Sequence, residues 1–214
     1  MKKKVLSIAL VMALFAIMVG GTLAYFTAED EVTNTFTIGS VKIEVVEDFD
    51  KPEAMIPVVT PDESDPNYIN KDARVQNTGD NDAYVQMYVA IPKALDDVKA
   101  FVVVPAQEGS WEDVPVSVGT AVIDGIIHNV YRYRYDSILA PGEETPNAIT
   151  AAYFAPQLDY DHDTGKFVMN GVTIADYTPG EVINIYGAAQ AIQAAGFDGY
   201  EKALNNFTTH PWAN

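Results

Sequence analysis

Three histidines and one run of alternating aspartates are the side chains in this sequence best suited to bind a metal ion. His128, His162 and His210 are isolated from one another in the chain. None of them lies in an H-E-x-x-H motif, which places two zinc ligands and a general base on one face of a helix. Because distant histidines can still converge in a fold, a zinc site formed by the three stays open, but we assign no catalytic residue.

The alternating aspartates are Asp159, Asp161 and Asp163. Carboxylate oxygens at that spacing suit Ca²⁺. Thr164, however, occupies the position at which an EF-hand loop needs glycine, and Asn170 occupies the position of its bidentate glutamate. We therefore prefer a solvated hairpin turn, keep calcium as a weak candidate, and expect no other cofactor.

The chain contains no cysteine. Disulfides, thiol nucleophiles, iron–sulfur clusters and Cys-ligated zinc are therefore excluded. The sequence also lacks the G-x-S-x-G elbow, the P-loop and the dinucleotide-binding fingerprint. These features favour a structural protein over an enzyme.

The charge of the chain is strongly negative. Its 214 residues include 13 Lys and Arg against 30 Asp and Glu, which gives a formal charge of -17. The first 24 residues contain three of the lysines and no acid, so removing them leaves ten basic against thirty acidic residues, a charge of -20. Such a field repels phosphate backbones and anionic lipid headgroups, so we expect no nucleic acid partner and no binding to an anionic membrane surface.

The N-terminus has the organisation of a secretory signal. Lysines at positions 2 to 4 precede an uncharged run over 5–19 and a small-residue stretch over 20–24. This order predicts a signal peptide over 1–24, cleaved between Ala24 and Tyr25. We therefore expect a secreted protein, which meets the membrane only through this segment before cleavage. The alternative is that this segment stays uncleaved and anchors a surface protein in the membrane. Such an anchored protein would not assemble into polymers.

Alternating apolar residues predict β-strands along most of the remaining chain. Val85, Met87, Val89 and Ile91, for example, would share one face of a strand. The predicted strands lie at 41–45, 83–91, 100–104, 114–123, 131–135, 166–174 and 182–191. Turn residues separate them, which indicates an all-β antiparallel sandwich over 40–214.

Two other elements complete the predicted domain. Residues 48–72 are rich in proline and acids, so we expect a long surface loop there. Near the C-terminus, Asp198 is the predicted N-cap of a short helix, with Glu201 three residues later.

The segment directly after the predicted cleavage site has the most informative pattern. Its apolar residues fall on even-numbered positions, whereas the odd-numbered positions from 27 to 37 are polar. The residues of the apolar face are Phe26, Ala28, Val32, Phe36 and Ile38. One interpretation is a long first strand of the sandwich. The other is a detachable donor strand over 25–39 that inserts into a neighbouring subunit.

Sequence patches from the signal region to residue 197 share one family pattern. GGTLAYFT at 20–27 leads to FTIGSVKI at 36–43, and VQNTG at 75–79 is followed by AYVQM at 83–87. LAPGEET at 139–145 and IQAAGF at 192–197 extend the pattern. These patches resemble the TasA and camelysin-type family of secreted proteins, which are matured by the dedicated signal peptidase SipW.

The resemblance carries expectations about fold and function. It implies a jelly-roll sandwich and a homopolymer that builds biofilm-matrix or cell-surface fibres. It also implies that subunits polymerise by donor-strand exchange of the N-terminal strand. Camelysin-type relatives carry a metallopeptidase label, which is the origin of the zinc endopeptidase alternative.

The negative charge predicts how assembly depends on solution conditions. Copies that each carry a formal charge of -20 repel one another, most strongly at low ionic strength. We expect polymer mass to rise when salt or divalent cations screen the carboxylates, and when a fall in pH from about 8 to about 4 protonates them. Light scattering across that range measures polymer mass, and a steady loss of polymer on acidification would contradict the prediction.

Overall fold

Strands and two short helices make up the described part of the chain. The computed structural model describes residues 27–31, 41–49, 55–106, 111–112, 114–174, 177 and 182–213. The strands are β1 (Thr27–Glu31), β2 (Ile43–Phe49), β3 (Ile69–Asn77), β4 (Ala83–Pro92), β5 (Phe101–Pro105), β6 (Val116–Ile123), β7 (Ile126–Arg134), β8 (Ile149–Phe154), β9 (Leu158–Asp161), β10 (Lys166–Met169), β11 (Val172–Ile174) and β12 (Tyr186–Gln193). The helices are α1 (Lys93–Asp96) and α2 (Tyr200–Leu204).

The strands form two main antiparallel sheets that pack face to face. One sheet has the order β1-β12-β4-β7-β6 and the other has the order β2-β3-β8-β5. The orders β1-β12-β4-β7 and β3-β8-β5 are those of a jelly roll, in which the first and last strands lie side by side. Strands β9, β10 and β11 form a separate three-stranded sheet. The predicted all-β antiparallel sandwich is confirmed.

The main core lies between the inner faces of the two large sheets. Met87 of β4 and Val75 of β3 are buried in it, and Phe101 of β5 packs edge-on against Phe154 of β8 with ring centroids 5.3 Å apart. Fully burying a side chain of this size contributes roughly 1.5–3 kcal/mol. The alternation predicted for β4 is therefore the pattern that fills the core.

The outer face of the five-stranded sheet is covered by the C-terminal segment, which we define as residues 194–213. Tyr84 and Ile192 pack with Leu204 of α2. Further along the same face, Tyr88 packs with Trp212. Because one face of β4 meets the core and the other meets the C-terminal segment, all ten residues of β4 are buried.

Strands β3, β8 and β9 were not predicted. In β3, Lys71 interrupts the apolar alternation, yet it is buried and forms an ion pair with Glu47 of β2 at 3.0 Å. The predicted loop at 48–72 was wrong at both ends, because Asp48 lies in β2 and Ile69 begins β3. Regular strand pairing thus continues through positions whose polar side chains suggested a loop.

The predicted helix near the C-terminus is present, but its predicted cap was wrong. Gly199 occupies the N-cap position of α2 with a φ of 130°, a conformation that favours glycine. Asp198 lies one residue further out and forms an ion pair with Lys202 at 2.9 Å. Helix α1, which follows Pro92, was not predicted because four residues are too few to show a helical period.

The Ala-rich stretch near the C-terminus forms a strand, as predicted against the helix propensity of alanine. This strand, β12, begins at Tyr186 instead of Val182 and continues to Gln193. The strand predicted over 166–174 is divided into β10 and β11, which meet at the predicted turn of Asn170 and Gly171.

Candidate functional site

Strand β12, the last strand of the chain, lies inside the five-stranded sheet between β4 and β1. Its register pairs Ala189 with Met87 on one side and with Asp30 on the other. Residues 188–192 are all 0% exposed. Because a buried strand must satisfy the hydrogen-bonding groups along both of its edges, β12 needs a strand on each side.

Strand β1 supplies the second of these partners. Its five residues pair antiparallel with residues 188–192 of β12. The register sets Ala28 opposite Ala191, a residue of the core. Of the predicted donor residues, Ala28 lies in β1, whereas Phe26, Val32, Phe36 and Ile38 lie outside the described residues.

Strand β1 lies at a sheet edge and has a long connection to the next strand. It forms one edge of its sheet, and its strand pairing within the described sheets is with β12. Eleven residues separate Glu31 from Ile43, where β2 begins in the other sheet. Fully extended, eleven residues reach about 36 Å at roughly 3.3 Å each, which exceeds the roughly 30 Å diameter of a small domain.

The inner face of β12 carries very small side chains. Ala189 and Ala191 lie in the core, and a Cβ atom built on Gly187 would lie 3.0 Å from Oε1 of Glu47 on β2. The two sheets therefore approach closely at β12, and a larger side chain at position 187 would require Glu47 to shift. With such small residues on this face, the main-chain hydrogen bonds of β12 contribute a large share of its attachment.

Polar side chains on the outer face join β12 to β4. Gln86 Nε2 donates to Gln190 Oε1 at 2.9 Å and to the Tyr88 hydroxyl oxygen at 2.8 Å. The Tyr88 hydroxyl in turn donates to Gln190 Oε1 at 2.8 Å. Gln190 Nε2 also donates to the carbonyl oxygen of Thr209 in the C-terminal segment at 3.3 Å. These bonds fix β12 to β4 without involving β1.

Arg134 of β7 extends this network to the end of α2. Its Nη2 donates to Asn205 Oδ1 at 2.9 Å, and its Nε donates to Gln86 Oε1 at 3.4 Å. Burial lowers the pKa of the Arg134 guanidinium. We call this set the glutamine cluster; its members are Gln86, Tyr88, Arg134, Gln190 and Asn205. It holds β12 and the C-terminal segment together.

The predicted calcium candidates lie at the turn between β9 and β10. Asp161 accepts hydrogen bonds from the Thr164 hydroxyl at 2.8 Å and from the Asp163 backbone N–H at 2.9 Å. Chiefly through the Thr164 bond, and then the Asp163 bond, the pKa of Asp161 lies below its usual range. Asp159 accepts from the backbone N–H of Tyr160 at 2.7 Å. Asp161 therefore stabilises the turn itself, and a calcium ion here stays a prediction.

The three histidines lie in different parts of the fold. His128 on β7 is 1% exposed, with Nδ1 2.9 Å from a backbone carbonyl oxygen. His210 lies in the C-terminal segment beside Trp212, where burial lowers its pKa. His162 is exposed next to Tyr160, with ring centroids 4.8 Å apart. Across the described ranges, no three His, Asp or Glu side chains are grouped so that they could hold a metal ion.

The predicted signal segment and its cleavage site lie outside the described residues, Ala24 and Tyr25 included. In the part of the chain that the structure does describe, no helix combines the length and hydrophobicity needed to cross a bilayer. Export and cleavage stay predictions.

Two features of the site were missed from the sequence. The first is the pairing of β1 with β12, which joins residues 157 to 165 positions apart in the sequence. The second is the glutamine cluster. A signal for it was present, because Tyr84, Gln86 and Tyr88 form a face of β4 without charged residues, which indicates burial instead of exposure.

Comparison with known proteins gives one match. The model of the camelysin metallo-endopeptidase family matches residues 1–98. The match confirms the resemblance to the TasA and camelysin-type family over that part of the chain, which includes β1 and β4. Strand β12 lies beyond the matched part. No curated protein and no solved structure matches the chain.

Replacement of Gln190 by alanine tests the glutamine cluster. The Gln190→Ala change removes the acceptor shared by the buried Gln86 amide and the Tyr88 hydroxyl. A buried polar group left without its partner costs about 1–3 kcal/mol, so we expect the free energy of unfolding in urea to fall by that amount. Gln193→Ala, at the half-buried end of the same strand, is the matched control and should cost less than about 0.5 kcal/mol. Equal losses in the two variants would contradict the assigned role.

Proposed function

We propose that this chain is a secreted, non-enzymatic structural subunit that polymerises into extracellular matrix or cell-surface fibres. The observation that carries the proposal is the position of β12, a strand buried on both faces with one edge covered by the first described strand of the chain. Such an edge accepts the same strand from another copy, which is donor-strand exchange. The fibre is then a row of sandwiches, each completed by the N-terminal strand of a neighbour.

Exchange of identical strands preserves the pairing that each sandwich needs. The closed monomer and the fibre therefore differ mainly in the free-energy cost of the segment that connects β1 to its own sandwich. The balance between them also depends on subunit concentration, as in domain swapping. In the proposed fibre, Phe26, Val32 and Phe36 anchor the donor segment. Full burial of each contributes roughly 1.5–3 kcal/mol, offset in part by the ordering of the segment.

Electrostatic repulsion opposes the exchange. Three of the five residues of β1 are acidic, namely Glu29, Asp30 and Glu31, and each processed subunit carries a formal charge of -20. Carboxylates along an edge strand disfavour pairing with unrelated edges. They also make the proposed exchange dependent on screening, so ionic conditions outside the cell would control when fibres form.

The proposal includes the route by which the subunit reaches the fibre. A dedicated signal peptidase removes residues 1–24, after which Tyr25 begins the processed chain. Cleavage frees the N-terminal segment from the membrane, so it is a condition for exchange between copies. The partner in the fibre is the same chain, which makes the product a homopolymer.

A zinc endopeptidase is the second candidate, and the description of the matching family favours it. Purified processed protein that cleaves casein, and loses this activity on chelation or with His128→Ala, would support the enzyme. His128 is buried, so its replacement requires a check by circular dichroism that the fold is intact.

The proposed function is tested by charges placed on the two faces of the donor segment. Val32→Asp with Phe36→Asp puts two carboxylates on the predicted apolar face. Thr33→Asp with Thr35→Asp adds the same charge to the same segment, but on the polar face. We expect the first variant to lose fibres in electron micrographs and the second to keep them, because only the first opposes burial of the anchors.

Deletion of residues 25–38 completes the test. The deleted protein should give the circular dichroism of a β-sandwich, no fibres, and binding of a synthetic peptide of sequence 25–38. Normal fibres from the deletion, or equal losses from the two charge variants, would reject strand exchange. If the deleted protein is unfolded and the peptide does not restore its fold, the segment is an ordinary core strand.

A further inference from the structure

The exposed apolar side chains of this protein are concentrated on one hairpin. Ten large hydrophobic residues are exposed in the described part of the chain, and five of them lie on or beside the hairpin of β6 and β7. These five define the hairpin patch: Val114, Val116, Val122, Ile126 and Ile127, with exposed fractions between 43% and 71%. They flank the sheet edge on both faces, because Val122 pairs with Ile127 on one face and Ile126 pairs with Ile123 on the other. Single exposed apolar residues are ordinary, but several grouped along one sheet edge point to a contact.

The hairpin patch also lacks charge. Residues 114–131 contain one charged side chain, Asp124, in a chain where 43 of 214 residues are Lys, Arg, Asp or Glu. Asp124 lies at the turn and accepts a hydrogen bond from the Tyr186 hydroxyl at 2.7 Å. The processed chain, without residues 1–24, has a formal charge of -20. A neutral surface is therefore where a second copy can approach with the least repulsion.

Strand β6 gives this surface a main-chain edge along which no strand of the described residues pairs. It ends the five-stranded sheet on the side opposite β1. A bulge between Ser117 and Gly119 interrupts its register, and beyond it the pairing with β7 is regular from Thr120 to Ile123. Edge strands in soluble proteins are commonly guarded by charged side chains, and β6 has none.

We propose that β6 pairs antiparallel with β6 of a second copy, joining two five-stranded sheets side by side. An antiparallel pair of identical strands is self-complementary, because each copy offers the same donors and acceptors. Val116 and Val122 of β6 then lie beside the same strand of the copy, and their partial burial adds to the strand pairing. This contact goes beyond strand exchange at β12 and does not depend on it, since it uses the opposite edge of the sheet.

Cysteine cross-linking tests the contact without ambiguity, because the chain has no cysteine of its own. In Thr120→Cys, two copies related by a two-fold axis near the middle of β6 bring their thiols together. Val172→Cys is the matched control: it lies on β11, an edge strand of the small sheet, and Val172 is 53% exposed. On oxidation we expect at least about tenfold more disulfide-linked dimer from Thr120→Cys. Equal yields, or monomers from both variants, would overturn the proposal.

A second test places a charge on the hairpin patch and measures association without a cross-link. Val122→Glu and Val172→Glu add the same charge at side chains of 58% and 53% exposure. Sedimentation equilibrium should show an association constant at least about tenfold weaker for Val122→Glu, with Val172→Glu unchanged. Unchanged association in both variants would reject the edge contact.

Both tests are run also in the Val32→Asp, Phe36→Asp background. Dimers that persist there assign the contact to β6 even if the protein forms no fibres. Dimers that disappear there would mean that the association depends on the N-terminal segment, and the β6 contact would be rejected while strand exchange stands.

Discussion

The pairing of β12 along its second edge is the constraint on which the rest of the structure depends. This strand closes the five-stranded sheet, is buried on both faces, and has inner-face residues too small to anchor that face by side-chain packing alone. The main-chain N–H and C=O groups along this edge would cost free energy of folding if they were left unpaired. A strand in the position of β1 therefore stabilises the fold, but the pairing itself does not specify which copy supplies it.

Several features hold β12 in place without help from β1. Gly187 and the alanines on its inner face allow close contact with β2, and the glutamine cluster fixes its outer face to β4. The C-terminal segment covers this cluster and receives a hydrogen bond from Gln190. A preformed acceptor edge lowers the cost of receiving a strand, because little of the acceptor has to be ordered on binding.

Local patterns were sufficient to predict the strands that fill the core, and insufficient to predict how they pair. Alternation located β4, whose inner residues are apolar at every second position, and the end of β7, where Tyr131 and Tyr133 pack in the core. It missed β3, where the buried Lys71 breaks the pattern and is neutralised by Glu47 from another strand. The partner of β1 could not be predicted either, since pairing of the first and last strands depends on the closure of the whole sandwich. A strand after the predicted cleavage site was expected from its alternation, but the register of β1 with β12 required the structure.

A pair of cysteines across this register gives the most direct test of strand exchange. Ala28→Cys with Ala191→Cys sets two thiols opposite each other, at the separation of about 4.5–5.5 Å between Cα atoms that antiparallel pairs have and disulfides accept. Fibres are assembled, oxidised and run on a denaturing gel without reductant. If the strand comes from a neighbour, the gel shows a ladder of covalent oligomers, whereas each single-cysteine variant gives at most dimers. Oxidised fibres that run only as internally cross-linked monomers would contradict the account.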